Sequence, residues 1–274
     1  MSGKIYVVGT PIGNLEDFSP RGVRMLNEAD FIAAEDTRVT AKLLNRFGIK
    51  KETVSYYEHN KAQKGEYLIN RVLAGENLAI VSDAGMPAIS DPGEDLVRAA
   101  HEAGITVESV PGPSALTAAL SVSGFPTGRF CFEGFLSVNR ISRSKHLDEI
   151  KDEWRTLVFY EAPHKLLRTL SDMREALGER EICIVKEITK IHESVRFFDF
   201  SSAIDFYTAN APKGEYVLIV RGRKRRVPAL QMTAKEAVAF AKELMAGGMS
   251  ASAAAKEAAA KSGVKKGEIY KLIV

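Results

Sequence analysis

The stretch VSDAGMPAISDPGEDL, residues 81–96, decides the fold class of this chain. It begins as the apolar run Leu78–Val81 ends, turns through small residues and arrives at a second Ser-Asp pair. Asp91 of that pair is predicted to cap a helix, because Pro92 suits the first helical position and Glu94 suits the third. A buried strand, a tight loop and a helix in this order are typical of a parallel sheet.

Apolar runs of this kind recur along the chain, and helical patterns lie between several of them. The runs do not alternate apolar and polar residues, which is typical of strands covered on both faces. The alternation of strand and helix predicts an α/β fold. The predicted strands are Ile5–Val8, Phe31–Ala34, Leu78–Val81, Val107–Val110, Leu157–Tyr160, Ile182–Val185 and Tyr216–Val220.

Helices are predicted to begin at Ser19, Ser114 and Pro163, where capping residues or a proline precede apolar positions at helical spacing. Near the C-terminus, Thr233 and Glu236 form a capping box, and an alanine-rich helix ends at a glycine. Loops and a charged linker with a proline divide the chain. The predicted domains are two α/β domains, 1–115 and 116–225, and a helical appendage, 226–274.

Composition excludes several classes of protein. Of the 274 residues, 45% are apolar and 27% are charged, which is ordinary for a soluble globular protein. No apolar run approaches the length of a membrane-spanning helix, and the N-terminus lacks the pattern of a signal peptide. Cys131 and Cys183 are far apart and outside any Cys-x-x-Cys pair, so we expect reduced thiols and a cytoplasmic location.

The net charge of +3 is unevenly distributed. Residues 221–274 contain 12 basic and 4 acidic residues, whereas residues 1–220 contain 26 basic and 31 acidic ones. A basic tail on a mildly acidic body favours a polyanionic partner. The alternative is a helical tail whose charges are simply solvated.

Four strand-end loops are rich in glycine, proline and small residues. They are GTPIGN (9–14), SDAGMP (82–87), VPGPSA (110–115) and EAPH (161–164). Ligands of open α/β sheets bind beyond the carboxyl ends of strands, and small residues let a ligand approach the backbone. Each loop alone fits an ordinary tight turn, but four together indicate a binding site. The chain lacks a dinucleotide fingerprint, a P-loop, a nucleophile elbow and a metal motif.

Three longer motifs resemble those of one family. GTPIGNLEDFSPR (9–21), AEDTR (34–38) and SDAGMPAISDPG (82–93) are similar to the ribosomal RNA small subunit methyltransferase I family, within the tetrapyrrole methylase superfamily. The resemblance spans nearly the whole chain. It implies two α/β domains with S-adenosylmethionine in the cleft between them. It also implies a homodimer that methylates the 2′-oxygen of a cytidine in 16S rRNA, near the decoding centre of the 30S subunit.

The resemblance implies which loops hold the cofactor. SDAGMP matches the loop that wraps S-adenosylmethionine, and Asp83 could accept hydrogen bonds or face the sulfonium charge. Ser114 and Ala115 match the next cofactor-contacting loop, and segments at 160–162 and 211–212 match further cofactor contacts. The implied cofactor residues are Pro11, Asp83, Ala84, Gly85, Met86, Ser114, Ala115, Tyr160, Glu161, Ala162, Ala211 and Pro212.

The general base is not fixed by the sequence. Glu35, Asp36 and Lys186 follow strand ends and are the candidates. The alternative for the acidic pair is structural: Asp36 or the next residue caps a helix, and Arg38 pairs with Glu35.

Basic residues at helical spacing indicate an RNA-binding surface. Arg38, Lys42, Arg46 and Lys50 recur every four residues, which predicts a basic ridge on an amphipathic helix. The alternative is an ordinary solvated face. The segment SVNRISRSKH (137–146) departs from the denser basic run expected of the family, and KRR (224–226) is a further candidate. The predicted RNA-binding residues are Arg21, Arg38, Lys42, Arg46, Arg140, Arg143 and Lys145.

Two other functions fit the same sequence. One is a methyltransferase of the same fold that acts on a tetrapyrrole or another small molecule, although a small substrate would need neither the basic helix nor the basic tail. The other is an RNA-binding assembly protein without catalysis, against which the intact set of cofactor loops argues.

Overall fold

The computed structural model describes residues 2–224 and 232–274. The chain forms two compact units, one ending at Arg223 and the other beginning at Lys224. The predicted boundary at 225/226 and two residues of the basic triplet 224–226 lie outside the described residues. Within the described ranges, no helix is long and apolar enough to cross a membrane.

The first unit contains two five-stranded sheets. The first sheet is entirely parallel, in the order β3-β2-β4-β1-β5. Its strands are β1 (Lys4–Val8), β2 (Phe31–Ala34), β3 (Glu52–Ser55), β4 (Leu78–Val81) and β5 (Thr106–Val110). Its helices are α1 (Pro20–Glu28), α2 (Thr37–Arg46), α3 (Lys61–Leu73) and α4 (Glu94–Glu102).

Helices cover both faces of this sheet. Apolar residues of α1 and α2, such as Leu26 and Leu44, pack on one face with Val8. Those of α3 and α4, such as Leu68 and Leu96, pack on the other. This arrangement explains why the central strands read as continuous apolar runs.

The second sheet is mixed, in the order β6-β7-β10-β8-β9, and only β6 and β7 are parallel. Its strands are β6 (Phe130–Phe135), β7 (Thr156–Glu161), β8 (Glu181–Lys186), β9 (Ser194–Asp199) and β10 (Tyr216–Val220). The helices are α5 (Ala115–Ser123), α6 (Arg140–Glu149), α7 (Leu166–Leu177) and α8 (Phe200–Ala209). Residues of α5 pack on one face, and those of α6, α7 and α8 pack on the other.

The seven predicted strands are confirmed, and three strands were missed. β3, β6 and β9 all lie at sheet edges and are largely half-exposed or exposed. Their sequences therefore carry polar residues among the apolar ones, and no continuous apolar run marks them. The predicted domain division at 115/116 stays a prediction; Ala115 is the first residue of α5.

The helix signals were correct at Ser19 and Ser114 but not at the second Ser-Asp pair. Helix α4 begins only at Glu94, after Gly93, whose φ of 140° favours glycine. Ala88 and Ser90 also have positive φ. The predicted cap at Asp91 is therefore wrong, because residues 88–93 form an irregular loop. The helix predicted at Pro163 begins at Leu166, after a turn.

The second unit consists of α9 (Ala234–Ala246), α10 (Ala251–Ser262) and α11 (Lys266–Ile273). The predicted capping box of Thr233 and Glu236 is present, and Gly263 ends α10 in a left-handed conformation. Five buried alanines and Ile269 form the core of the unit, so small side chains allow close packing of its helices.

Candidate active site

Loops after three strands of the first sheet are held together backbone to backbone. The N–H of Thr10 donates to the carbonyl of Gly85 at 2.8 Å, and the N–H of Gly85 donates back at 3.1 Å. A Cβ on Gly112 would lie 2.7 Å from the carbonyl oxygen of Gly9, so this approach requires glycine. Chain connections from β1 and β4 run to opposite sides of the sheet, so these loops border the crevice where ligands of such sheets bind.

A cavity of about 530 Å³ opens beside these loops and reaches the second sheet. Its volume lies within the usual range for small-molecule sites. Residues from both sheets line it, which brings together strand ends far apart in sequence. Of the predicted site residues, it is lined by Glu35, Asp83, Ala84, Gly85, Met86, Ser114, Ala115, Tyr160, Glu161 and Ala162.

The other predicted cofactor residues lie outside the cavity lining. Pro11 does not line the cavity, whereas its neighbour Ile12 does. Ala211 and Pro212 belong to the loop before β10; Glu215 at the end of that loop and Tyr216 at the start of β10 line the cavity instead. Lys186, a candidate base, ends β8 outside the lining.

Five carboxyl groups line the cavity, and two of them, Glu161 and Glu215, pair with lysines. The other three are Glu35, Asp83 and Asp91. Burial raises the pKa of each, and the charge of a neighbouring carboxylate adds to the effect. The pKa of Asp91 rises to about 6, through burial and then through Glu35. No salt bridge within residues 2–224 and 232–274 neutralises the three groups. The cavity therefore carries negative charge that a cationic ligand would balance.

Sequence reasoning missed Asp91 because the motif SDPG also matches a helix start. The only sequence signal was the repetition of the Ser-Asp pair within ten residues. The positive φ values at Ala88 and Ser90 place the second pair in the irregular loop from which Asp91 lines the cavity. Strained backbone of this kind clusters at functional sites.

Asp36 has a structural role beside the cavity. Its carboxylate caps α2 by accepting from the N–H of Arg38 at 2.8 Å, and it also accepts from the Arg38 guanidinium at 2.6 Å. These bonds lower the pKa of Asp36 to about 2, so it is a weak proton acceptor. The alternative structural role is therefore confirmed for the Asp36 cap, but Arg38 pairs with Asp36 and not with Glu35. The N–H of Asp36 donates to Asp83 at 3.1 Å and holds that carboxylate in place.

Two residues of β7, Tyr160 and Glu161, contribute polar groups to the wall that the second sheet forms. The hydroxyl oxygen of Tyr160 accepts from the N–H of Leu116 at 3.0 Å, which ties the start of α5 to β7. Glu161 is buried, and its carboxylate accepts from Thr169 at 2.5 Å and pairs with Lys165 at 2.8 Å. Its charge is therefore already neutralised, unlike that of the three converging carboxyls.

The predicted RNA-binding residues fall into two groups. Arg21 on α1, Arg38, Lys42 and Arg46 on α2, and Arg140 and Lys145 on α6 are exposed. Arg143 is instead buried at 3% exposure, pairs with Asp172 at 2.6 Å and donates to two backbone carbonyls. Its position argues against the predicted RNA contact, because its guanidinium holds the start of α6.

Comparisons with known proteins agree on one family. The family model of tetrapyrrole (corrin/porphyrin) methylases matches residues 4–203. A ribosomal RNA small subunit methyltransferase I from Synechocystis sp. is 43% identical over 279 residues, covering 98% of this chain and 97% of that protein. One from Thermotoga maritima is 46% identical over 222 residues, covering 81% of this chain and 100% of that protein. The chain belongs to the ribosomal RNA small subunit methyltransferase I family.

Solved structures show the same fold at low identity. Diphthine synthase matches with a TM-score of 0.63 and 16% identity, over 81% of this chain and 91% of that one. The uroporphyrin-III-C-methyltransferase from Thermus thermophilus matches with a TM-score of 0.58 and 22% identity, over 80% and 94%. The expected tetrapyrrole methylase fold is thus confirmed.

As a member of this family, the protein is an S-adenosylmethionine-dependent methyltransferase. The cavity suits that cofactor. The unneutralised carboxyls fit a ligand with sulfonium and ammonium groups, while Ile12, Met86 and Val217 offer apolar surface to an adenosine. The loop backbone is open to it at Gly85, whose φ of 89° favours glycine.

The close approach of Gly9 and Gly112 gives a stability prediction. We expect Gly112→Ala to lower the free energy of unfolding by about 1–3 kcal/mol, because the added methyl overlaps the opposite backbone. Gly128→Ala is the matched control, since a Cβ there meets nothing within 4 Å. Denaturant unfolding measures both. Equal stability of the two variants would contradict the proposed contact.

The raised pKa of Asp91 predicts pH-dependent cofactor binding. Protonation of Asp91 as the pH falls through about 6 removes a negative charge that favours a cationic ligand. If the bound cation lowers the pKa of Asp91 by about one unit, affinity for S-adenosylmethionine should weaken by about fivefold from about pH 7 to about pH 5. Calorimetry at several pH values measures this.

In Asp91→Asn, affinity at neutral pH should fall and the pH dependence should flatten. Asp205→Asn, which changes an exposed carboxylate of α8, is the control and should keep both. If the unaltered protein binds the cofactor equally well across this pH range, the charge of Asp91 plays no part in binding.

Proposed function

We propose that the protein methylates the 2′-oxygen of a cytidine ribose in 16S rRNA, near the decoding centre, with the 30S subunit as its substrate and a homodimer as its active form. This proposal rests on the similarity to ribosomal RNA small subunit methyltransferase I proteins, which extends over 98% of this chain at 43–44% identity. The acidic cavity and the basic surface beside it support it independently.

Bound S-adenosylmethionine supplies a methyl group already activated by a sulfonium. The protein's part is to align a ribose hydroxyl with that group and to accept its proton. Alignment can contribute roughly 7–11 kcal/mol to such a reaction. Asp83, held by the N–H of Asp36, offers negative charge to the cofactor.

Glu35 and Asp91 are the proposed proton acceptors. As the oxygen–methyl bond forms and the sulfur–methyl bond breaks, the hydroxyl proton passes to a cavity carboxylate. Asp91, with a pKa of about 6, is ionised at neutral pH and is a better acceptor than an ordinary aspartate. Glu35 also has a raised pKa, through burial and then through Asp83.

The RNA surface is proposed to begin at the edge of the cavity. Helix α2 starts there, because its cap Asp36 touches Asp83. Lys42 and Arg46 continue along the exposed side of the helix, where cations suit phosphate contacts. The cavity thus receives the donor, and the neighbouring ridge receives the acceptor strand.

The transfer reaction is proposed to reside in the first unit. The aligned 222 residues cover the whole relative from Thermotoga maritima and equal the length of this unit to within a few residues. The helical unit carries seven lysines and four glutamates over residues 232–274, which suits a supporting role in RNA affinity.

Labelled methyl transfer to 30S subunits that lack the modification tests the proposal. We expect incorporation into 16S rRNA, and mass mapping should locate one 2′-O-methyl cytidine near the decoding centre. Free rRNA under the same conditions tests whether the assembled subunit is required. Cofactor binding without incorporation into either substrate would refute the RNA assignment.

The basic ridge gives a separate prediction. Lys42→Glu with Arg46→Glu should weaken binding of 30S subunits at least tenfold and reduce its salt dependence, because about two phosphate contacts are lost. Arg98→Glu on α4, across the sheet from α2, is the control for reversed charge. Binding at several salt concentrations measures both, and equal losses would show that α2 is ordinary surface.

A further inference from the structure

Phe135 reaches the cavity through a β-bulge. The pairing of β6 with β7 shifts register between Phe132 and Gly134, and Gly134 has a φ of 63°. In a regular strand, Phe135 would share a face with Cys131, which packs against the core beneath α6, α7 and α8. The bulge instead turns Phe135 to the opposite face, beside Tyr160. Bulges commonly redirect a side chain next to an active site.

The ring of Phe135 is oriented by its neighbours yet remains uncovered. Its centroid lies 5.5 Å from that of Tyr160, with the two rings inclined at 61°. The ammonium of Lys165 lies 5.3 Å from the ring centroid and is itself fixed by Glu161. Even so, 54% of Phe135 is exposed, and it lines the cavity. An aromatic ring held in this way is a preformed surface for another flat ring.

The base of the acceptor nucleotide suits this position. The base and the 2′-oxygen of a nucleotide are attached to adjacent ribose carbons, so an oxygen inside the cavity brings its own base to the cavity wall. Proteins that act on single nucleotides hold the displaced base by stacking it on aromatic side chains. Phe135 is an exposed aromatic ring of this cavity, whereas Tyr160 is half-buried and caps α5 through its hydroxyl.

We propose that Phe135 is the platform on which the base of the acceptor nucleotide stacks while its 2′-oxygen is methylated. The proposal rests on RNA being the substrate, as inferred above, and assigns Phe135 a role in positioning the acceptor rather than the cofactor. The bulge at Gly134 turns the Phe135 ring toward the cavity. Ser90 packs beside the bulge, since a Cβ on Gly134 would lie 3.2 Å from the Ser90 hydroxyl oxygen.

Three variants test the platform. Phe135→Leu keeps an apolar side chain without the ring, Phe135→Tyr keeps the ring, and Phe197→Leu removes a ring of 59% exposure from the edge strand β9. We expect Phe135→Leu to lower kcat/KM for 30S subunits by about five- to a hundredfold, the range for loss of one base–aromatic stack. Phe135→Tyr and Phe197→Leu should stay near the unaltered protein.

The affinity for S-adenosylmethionine, measured by calorimetry, distinguishes stacking on the acceptor base from stacking on the adenine of the cofactor. It should be unchanged in Phe135→Leu. If cofactor affinity falls in step with kcat/KM, the ring stacks on the adenine of the donor and the proposal is overturned. Equal kcat/KM for Phe135→Leu and Phe197→Leu would also overturn it, as would a loss that Phe135→Tyr does not rescue. Failure of the unaltered protein to methylate 30S subunits would instead refute the proposed function, and the platform with it.

Discussion

The backbone contact between the loops after β1 and β5 is the constraint on which the site depends. Gly9 and Gly112 approach so closely that neither position has room for a Cβ, and the paired hydrogen bonds of Thr10 and Gly85 attach the loop after β4 to the same junction. Three strand ends are thereby fixed relative to one another. Because the carboxyls and the open backbone of the cavity belong to these loops or to their neighbours, the geometry of the cavity follows from this junction.

Charge is divided within the first unit in a way that matches two kinds of ligand. Glu35, Asp83 and Asp91 leave the cavity negative, and burial raises their pKa values because no buried cation offsets them within the described ranges. The exposed side of α2, which starts at the cavity edge, is positive. A methyltransferase of this family needs such a division, since its donor is a cation and an RNA acceptor is a polyanion.

The same residue types serve structure and chemistry at neighbouring positions. Asp36 is bonded to Arg38 and caps a helix, whereas Asp83, one strand end away, faces the cavity and is only positioned by Asp36. Glu161 is likewise neutralised by Lys165, although it lines the same cavity as Glu35. Partners supplied by the fold, and not residue type, separate a structural carboxylate from one free to act.

The sequence by itself determined the α/β class, the central strands, the family and most of the cavity-lining loops, because continuous apolar runs and small strand-end residues are local features. Tertiary structure alone decided the rest. The edge strands β3, β6 and β9 were missed because half-exposed strands carry no distinctive pattern. Asp91 was predicted to cap a helix, and only its backbone conformation places it in the cavity instead. Arg143 matched a basic cluster in sequence but is buried against Asp172, since which residues face inward depends on packing between elements distant in the chain.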